Sequence, residues 1–409
     1  MELQGFLKRK IRYFERPVAG LCEARNACAR NACARTHDRP HRGQLQLSCR
    51  ENLSTLRFSH SLMSGWIPRR KLPSLTLAAA GLVSLLSIAS AEDQLYTFRA
   101  PAMGTEFTIR VWAQQGQVTD LTLLSQRAFA RVNELNQICS DYLPESELNR
   151  LAQAPRDTPI PVSKDLFSLF TKAGQLTTAS DGAFDITAGP LIRLWRISRK
   201  TRRLPTDERR LSALARTSFA HLSLDPDKRT ITKHHEGMLF DLGGIAKGYA
   251  ADAILLILKE AGYPRSLVAA SGDIVVGDPP PGEPGWTVGI EALDVDQDPQ
   301  SMATVLLVNQ AISTSGDARQ HLELDGVRYS HIVSTKTGLG LTRCIAATVI
   351  APNATTSDSH ATAVVLLGEK DGLQFIGNQR GIECRIVIPT ESGERITRSA
   401  GFPSSDGLP

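Results

Sequence analysis

The stretch Asp241-Leu242-Gly243-Gly244-Ile245-Ala246-Lys247-Gly248-Tyr249-Ala250-Ala251-Asp252 decides how the rest of the chain reads. The apolar run Met238-Leu239-Phe240 precedes it and reads as a buried strand. Ala253-Ile254-Leu255-Leu256-Ile257-Leu258-Lys259-Glu260 follows it and reads as a helix. A carboxylate thus closes a strand, two glycines make a tight turn, and a lysine rides the first turn of a helix. Helix starts present free N–H groups and the positive end of the backbone dipole, so such a turn suits phosphate. It is not a P-loop, because neither the Gly-to-Gly spacing nor a Ser/Thr after the lysine matches. The competing reading is an ordinary turn with a solvated lysine.

Outward from this turn, the flanking segments read as a chain of alternating elements. Thr105 to Trp112 alternates polar and apolar residues and reads as a half-buried strand, preceded by Ala102-Met103-Gly104. Leu121 to Ile138 has helical periodicity, with Leu123, Leu124, Ala128, Val132 and Leu135 as the expected inner face. Ser163 caps a helix running to Ala179, and Gly182 follows as a left-handed stop. Ala183 to Leu191 follows, and the segment after it through Arg216, with Arg196, Arg199, Lys200, Arg202 and Arg203, is polar and basic and reads as a solvated surface loop and helix. His221–Leu224 and Thr230–Thr232 form an expected hairpin. Strand-like runs follow at Ser266–Ala270, Trp286–Glu291, Thr304–Val308, Ala311–Ser313, Ile345–Ile350 and Cys384–Ile388, with a helix over Thr356–Leu367. The expected fold class is α/β in the broad sense, an α+β mixed sheet with several helical layers.

Charge is unevenly spread along the 409 residues. The formal net charge is +5, but residues 1–91 hold 15 Lys/Arg against 5 Asp/Glu, which leaves 32 against 37 in residues 92–409. The acidic body lacks the electrostatic footprint of a nucleic-acid binder. Arg69-Arg70-Lys71, the apolar Leu72–Ile88 and Ala89-Ser90-Ala91 have the three parts of an export signal. Its serines and threonine make a transmembrane anchor the weaker reading. The expected organisation is a non-native or disordered leader over 1–62, a signal peptide over 63–91, and a single domain over 92–409 in the periplasm, with association with the inner membrane as a further expectation. Four of the seven cysteines lie in that leader without zinc-site spacing. Cys139, Cys344 and Cys384 are too few for a disulfide framework and read as small buried residues.

Candidate chemistry is sparse but aligned. Asp358 and Thr362, at i and i+4, put a carboxylate and a hydroxyl on one helix face, a donor pair that suits magnesium. Ser271-Gly272-Asp273 and Ser315-Gly316-Asp317 read as binding turns, and His331 as a candidate general base. A phosphate turn, a small hard-metal site and a histidine point to phosphoryl-group chemistry.

Gly182-Ala183-Phe184-Asp185-Ile186-Thr187, the Asp241–Tyr249 turn, Ser313-Thr314-Ser315-Gly316-Asp317, Tyr329-Ser330-His331-Ile332 and Asp358–Ala363 stand in the order seen in ApbE-type FAD:protein FMN transferases, as does Ala102-Met103-Gly104-Thr105. The chain resembles that family over about residues 95–390. The resemblance implies FAD contacts at Met103, Tyr142, Ala183, Phe184, Asp185, Asp241, Lys247 and Ile332. It implies a magnesium site at the Gly244 carbonyl, Asp358 and Thr362, and catalytic roles for Lys247 and His331. The implied reaction splits FAD, releases AMP and joins FMN by a phosphoester to a Thr or Ser of a respiratory-complex subunit. Ser334-Thr335 stands where the family often has Asp-Pro, and Ser271 where it has the first glycine of a Gly-Gly-Asp loop. A FAD pyrophosphatase and a non-enzymatic flavin carrier are the alternative readings.

Overall fold

The computed structural model describes residues 92–290, 303–317 and 320–403, all within one compact unit. The leader, the export segment and Glu291 at the end of one expected strand lie outside the described residues. Among those described, no helix is long and apolar enough to cross a membrane.

The scaffold is an eight-stranded sheet in the order β1 (Asp93–Ala102), β2 (Thr105–Gln114), β6 (Ser266–Ala270), β7 (Asp273–Val276), β10 (Ala311–Gly316), β13 (Ala346–Ala351), β14 (Glu383–Thr390), β15 (Gly393–Arg398). Every neighbouring pair in it runs antiparallel. β1 and β2 are joined by Met103 and Gly104, both at positive φ (49° and 77°), the geometry of a tight two-residue hairpin turn. In β2 the expected alternation holds: Phe107, Ile109 and Val111 are fully buried, so one face meets helices. β13 is buried along its whole length because both faces are covered.

One face of the sheet carries α1 (Val118–Cys139), α6 (Ala246–Glu260), α7 (Ala354–Leu367) and α8 (Glu369–Gly377). The buried stripe of α1 is Leu121, Ser125, Ala128, Val132, Leu135 and Cys139, spaced alternately four and three residues apart. Leu123, expected inside, is 61% exposed, since two residues from Leu121 turn it through about 200° of helix. On the opposite face β8 (Trp286–Gly289) and β9 (Thr304–Leu307) form a separate hairpin, packing Trp286, Val288 and Leu307 against Ile312 and Ile350. Between α1 and α6 in sequence lie α2 (Glu147–Gln153), β3 (Ile160–Pro161), α3 (Lys164–Ala179), α4 (Gly189–Thr201), α5 (Asp207–Ala215), β4 (Leu222–Asp225) and β5 (Thr230–Lys233). Ser163 caps α3 by accepting the Leu166 N–H at 3.2 Å, and Gly182 adopts φ 72°, both as expected.

Two expectations are corrected. Met238 and Phe240 are buried and Leu239 is half-buried, but the segment is not a strand. It pairs with no strand among the described residues; it passes instead against the start of α4, where a Cβ on Gly189 would stand 2.5 Å from the Leu239 carbonyl carbon. The segment to Arg216 is not a solvated excursion either. Leu191, Trp195 and Ser198, at i, i+4 and i+7, bury one face of α4. That face packs with Leu322 and Val333, and Trp195 Nε1 donates to the Gly338 carbonyl at 2.9 Å. The five basic residues between Arg196 and Arg203 masked the stripe.

Candidate active site

The site assembles where the first turn of α6 meets α7. Asp241 is tied into the chain by its N–H, which donates to the Ile186 carbonyl at 2.8 Å, and its Oδ1 accepts the Gly243 N–H at 2.8 Å. The chain turns once through Gly243–Ile245 and enters α6 with Lys247 in its first turn. α7 is placed by Asp252 of α6, whose carboxylate accepts the N–H groups of Ala354 (2.7 Å) and Thr355 (2.8 Å) and the Thr355 hydroxyl. A carboxylate on the two free N–H groups of a helix start is favourable electrostatically as well as by hydrogen bonding.

That clamp brings Asp358 beside Lys247. Lys247 Nζ lies 2.5 Å from Asp273 Oδ2 and 3.4 Å from both Asp358 oxygens, while the Gly248 N–H donates to Asp358 Oδ2 at 3.0 Å. Asp273 opens β7 and is 5% exposed; Asp358 is 2% exposed. Two buried carboxylates thus share one ammonium. Burial opposes the Lys247 charge, but Asp358 and Asp273 outweigh it and raise its pKa. Burial first, and then the Asp273 charge, push the Asp358 carboxyl up to about 7. With both carboxyls ionised the cluster would carry one negative charge more than its lysine offsets.

The residues expected to hold a metal are brought together. A Cβ on Gly244 would stand 3.1 Å from Thr362 Oγ1, and Thr362 Oγ1 lies 3.1 Å from Ser315 Oγ. Asp358 is one turn before Thr362 on α7. The Asp358 carboxyl and the Thr362 and Ser315 hydroxyls are hard oxygen donors, with the Gly244 backbone packed against Thr362, and an ionised Asp358 among them fits a divalent cation such as magnesium.

Beside Asp241 lies an aromatic and cationic face. The Arg196 guanidinium bridges Asp141 Oδ2 and Asp241 Oδ2, the latter at 2.7 Å, and stacks 4.4 Å from the centre of the Tyr142 ring. Tyr142 is 73% exposed, an open aromatic surface. Burial, and after it the Asp141 charge, raise the Asp241 pKa against the pull of Arg196. Phe184 is buried, and its ring edge lies 3.3 Å from the Cβ position of Gly244. Asp185 has spent its carboxylate internally, accepting the Thr187 N–H and hydroxyl at 2.8 and 2.7 Å and the Phe219 N–H at 2.9 Å. Ala183 is buried beside it, Met103 packs between the two largest core clusters, and Ile332 packs against one of them.

His331 follows β12 (Val327–Ser330), which pairs with β11 (His321–Leu324). Its backbone N–H donates to the Gln320 carbonyl at 3.0 Å, and its ring Nδ1 lies 3.0 Å from the same oxygen. Burial leads the lowering of its pKa. No hydrogen bond among the described residues joins it to Lys247, Asp358 or Asp241. Sequence reasoning left Arg196, Asp141 and Gln320 outside the site, and placed Ser315 and Asp273 in candidate binding turns without naming their partners. Only Asp273 and Ser315 carried a local signal, each sitting in a polar tripeptide after an apolar run.

A turn at a helix start that holds an ammonium between two carboxylates, next to hard oxygen donors and an open aromatic face, defines a site for a phosphate-bearing aromatic substrate. The comparisons with known proteins make the class specific. Residues 103–386 match the ApbE family, and this chain belongs to it. It is 32% identical to the FAD:protein FMN transferase of Vibrio cholerae serotype O1 over 78% of this chain and 96% of that protein. Its fold is similar to that of the solved flavin transferase ApbE from Vibrio cholerae, with a TM-score of 0.68, 28% identity, and coverage of 76% of this chain and 99% of that one. The flavinyl transferase ApbE of Pseudomonas stutzeri, in its apo form, gives a TM-score of 0.67 at 30% identity, covering 76% and 96%.

Proposed function

We propose that this chain is a magnesium-dependent FAD:protein FMN transferase. It joins FMN to a Thr or Ser hydroxyl of a membrane respiratory-complex subunit and releases AMP. The observation that carries this reading is the Asp273–Lys247–Asp358 cluster at the start of α6, beside Gly244 and Thr362.

FAD would lie with its pyrophosphate at the Asp241–Lys247 turn and its aromatic parts on the Tyr142 and Phe184 side. Met103 and Ile332 supply apolar edges. Ala183 and Asp185 contribute through backbone, since the Asp185 carboxylate is already satisfied. Magnesium, held by the Gly244 carbonyl, Asp358 and Thr362, would supply charge neutralisation at the pyrophosphate. Lys247 offsets the negative charge that grows on departing AMP. His331 takes the proton of the acceptor hydroxyl. The hydroxyl oxygen bonds to the FMN phosphorus, and the P–O bond to the AMP phosphate breaks with its electron pair. The export signal at 69–91 supports a periplasmic location for this reaction.

The deciding experiment incubates the protein with FAD, magnesium and a flavin-carrying subunit of a sodium-linked respiratory complex. The products are then read by in-gel flavin fluorescence after denaturation and by AMP release. Covalent fluorescence on the subunit is the expected result. AMP and free FMN at the same rate with or without the subunit would instead identify a pyrophosphatase. FAD binding without either product would identify a carrier.

A further inference from the structure

We propose that Arg199 is a positioning residue for the base: acting through Gln320, it holds His331 in the tautomer whose Nε2 carries the lone pair. This rests on the flavin-transfer reading above.

The argument starts at one oxygen. The Gln320 backbone carbonyl faces both the N–H and the ring Nδ1 of His331, each at 3.0 Å. A carbonyl only accepts, so Nδ1 carries a hydrogen. In a neutral imidazole the other nitrogen, Nε2, is then the acceptor. A ring N–H given to a carbonyl also makes the far nitrogen more basic, as it does in histidine ligands oriented by a second group. The pairing therefore selects both the atom that takes a proton and its strength.

Gln320 stands just before β11, in a bend rather than in the ladder. The His331 N–H on its carbonyl continues the β11–β12 pairing by one residue, and its side chain adds a second anchor. Gln320 Oε1 accepts from Arg199 Nη1 at 3.1 Å, a link spanning 121 residues. That is the one hydrogen bond of the Arg199 guanidinium among the described residues, and its Nε is buried without a partner. Arg199 lies one turn beyond Arg196 on α4. The same helix thus ties the Tyr142–Asp241 face with one arginine and the histidine loop with the next. The charged groups that act on His331 are Arg199, Arg328 and Asp317. Burial leads in keeping the ring neutral, the Gln320 carbonyl opposes it, and the Arg199 charge reinforces it. A ring that is neutral at rest and free at Nε2 can receive the acceptor's proton.

Ring ¹⁵N NMR of the full chain labelled at histidine tests this without FAD, and Nε2/Nδ1 signals are assigned by difference from His331→Ala. The expected wild-type pattern is a protonated Nδ1 with an unprotonated Nε2. In Arg199→Met the pattern should become mixed, and kcat for FMN transfer should fall by about tenfold or more. That is less than the 10²–10⁴ for losing a general base, and KM for FAD should hold. Arg199→Lys, which can still donate to Gln320, should recover most of the rate. Gln320→Ala, which keeps the backbone carbonyl, should reproduce Arg199→Met even if the arginine variant proves unstable. The double variant should be no slower than either single one. A wild-type ring protonated at Nε2, an unchanged tautomer and kcat in both single variants, or additive losses would overturn the proposal. A wild type with the expected tautomer that forms no FMN adduct would sink the transferase reading instead.

Discussion

Gly248 and Asp358 meet with no room between them: the glycine N–H donates to Asp358 Oδ2 at 3.0 Å, and a Cβ on Gly248 would lie 2.9 Å from the Asp358 Cβ. The same Cβ would stand 2.1 Å from the Ala354 carbonyl oxygen, closer than any real contact. The absence of a side chain at Gly248 lets α6 and α7 approach until Asp358 reaches Lys247.

Gly248→Ala should therefore push the two helices apart. Overpacking of this kind costs about 1–3 kcal/mol, and here it also displaces Asp358, proposed above to hold magnesium. Urea unfolding in EDTA should show the loss of stability, and magnesium titration a weaker response. Wild-type values in both would mean that α6 and α7 relax freely.

Asp358 should make magnesium binding depend on protons. Its carboxyl is pushed up to about 7 by burial and then by Asp273, whereas an ordinary aspartate titrates at about 4. Between those values the folded chain holds a proton that the unfolded chain has released. Metal-free stability should then fall as pH rises through this window. Magnesium needs the carboxylate, so its affinity should climb by up to about tenfold per pH unit below about 7 and level off above. Isothermal titration across pH 5.5–8.5, as an order-of-magnitude window around that value, should show this slope; a flat profile would exclude it. Asp358→Asn should remove the slope and magnesium-dependent turnover together, and Thr362→Ala should weaken binding less.

Arg196 is the counter-charge for two carboxylates and the platform under Tyr142. Arg196→Ala leaves Asp241 buried and uncompensated. Breaking a buried pair costs up to about 3–5 kcal/mol, less where the stranded acid can take a proton. FAD affinity, followed by flavin fluorescence, should drop with stability. Arg196→Lys should recover little, because a single ammonium cannot bridge both acids and stack on the ring. Unchanged FAD affinity in the alanine variant would detach this face from the substrate.

His331→Ala should still bind FAD, since the phosphate turn and the metal donors are untouched. FMN transfer at saturating FAD should fall by about 10²–10⁴-fold. A lower FAD affinity with an unchanged saturated rate would make His331 a packing residue.

What was legible in the chain divides along a physical line. Elements whose signal is periodic, such as β2 and α1, could be read from spacing alone, and Ser163 from its capping chemistry. Asp358 and Thr362 were visible as a pair because one helix carries both. The partnership of Lys247 with Asp273 was not, because it joins a helix to a strand 26 residues on and leaves no pattern in either. Arg196 was hidden more thoroughly. Its neighbours are also basic, and nothing in the sequence marks it as the one that reaches Asp141 and Asp241. Met238–Phe240 misled in the opposite sense, since burial alone does not make a strand where no partner strand pairs with it.

The all-antiparallel sheet has a consequence in time. Lys247 meets Asp358 from 111 residues away, with β7, β10 and β13 neighbours in the sheet beneath them. Contacts this distant in sequence form late, after the entropy of closing long loops has been overcome. A half-folded chain holds neither the carboxylate pair nor the oxygen donors, so it cannot begin to cleave FAD. Competence should therefore come late in refolding, and magnesium-dependent protection from proteolysis would time it.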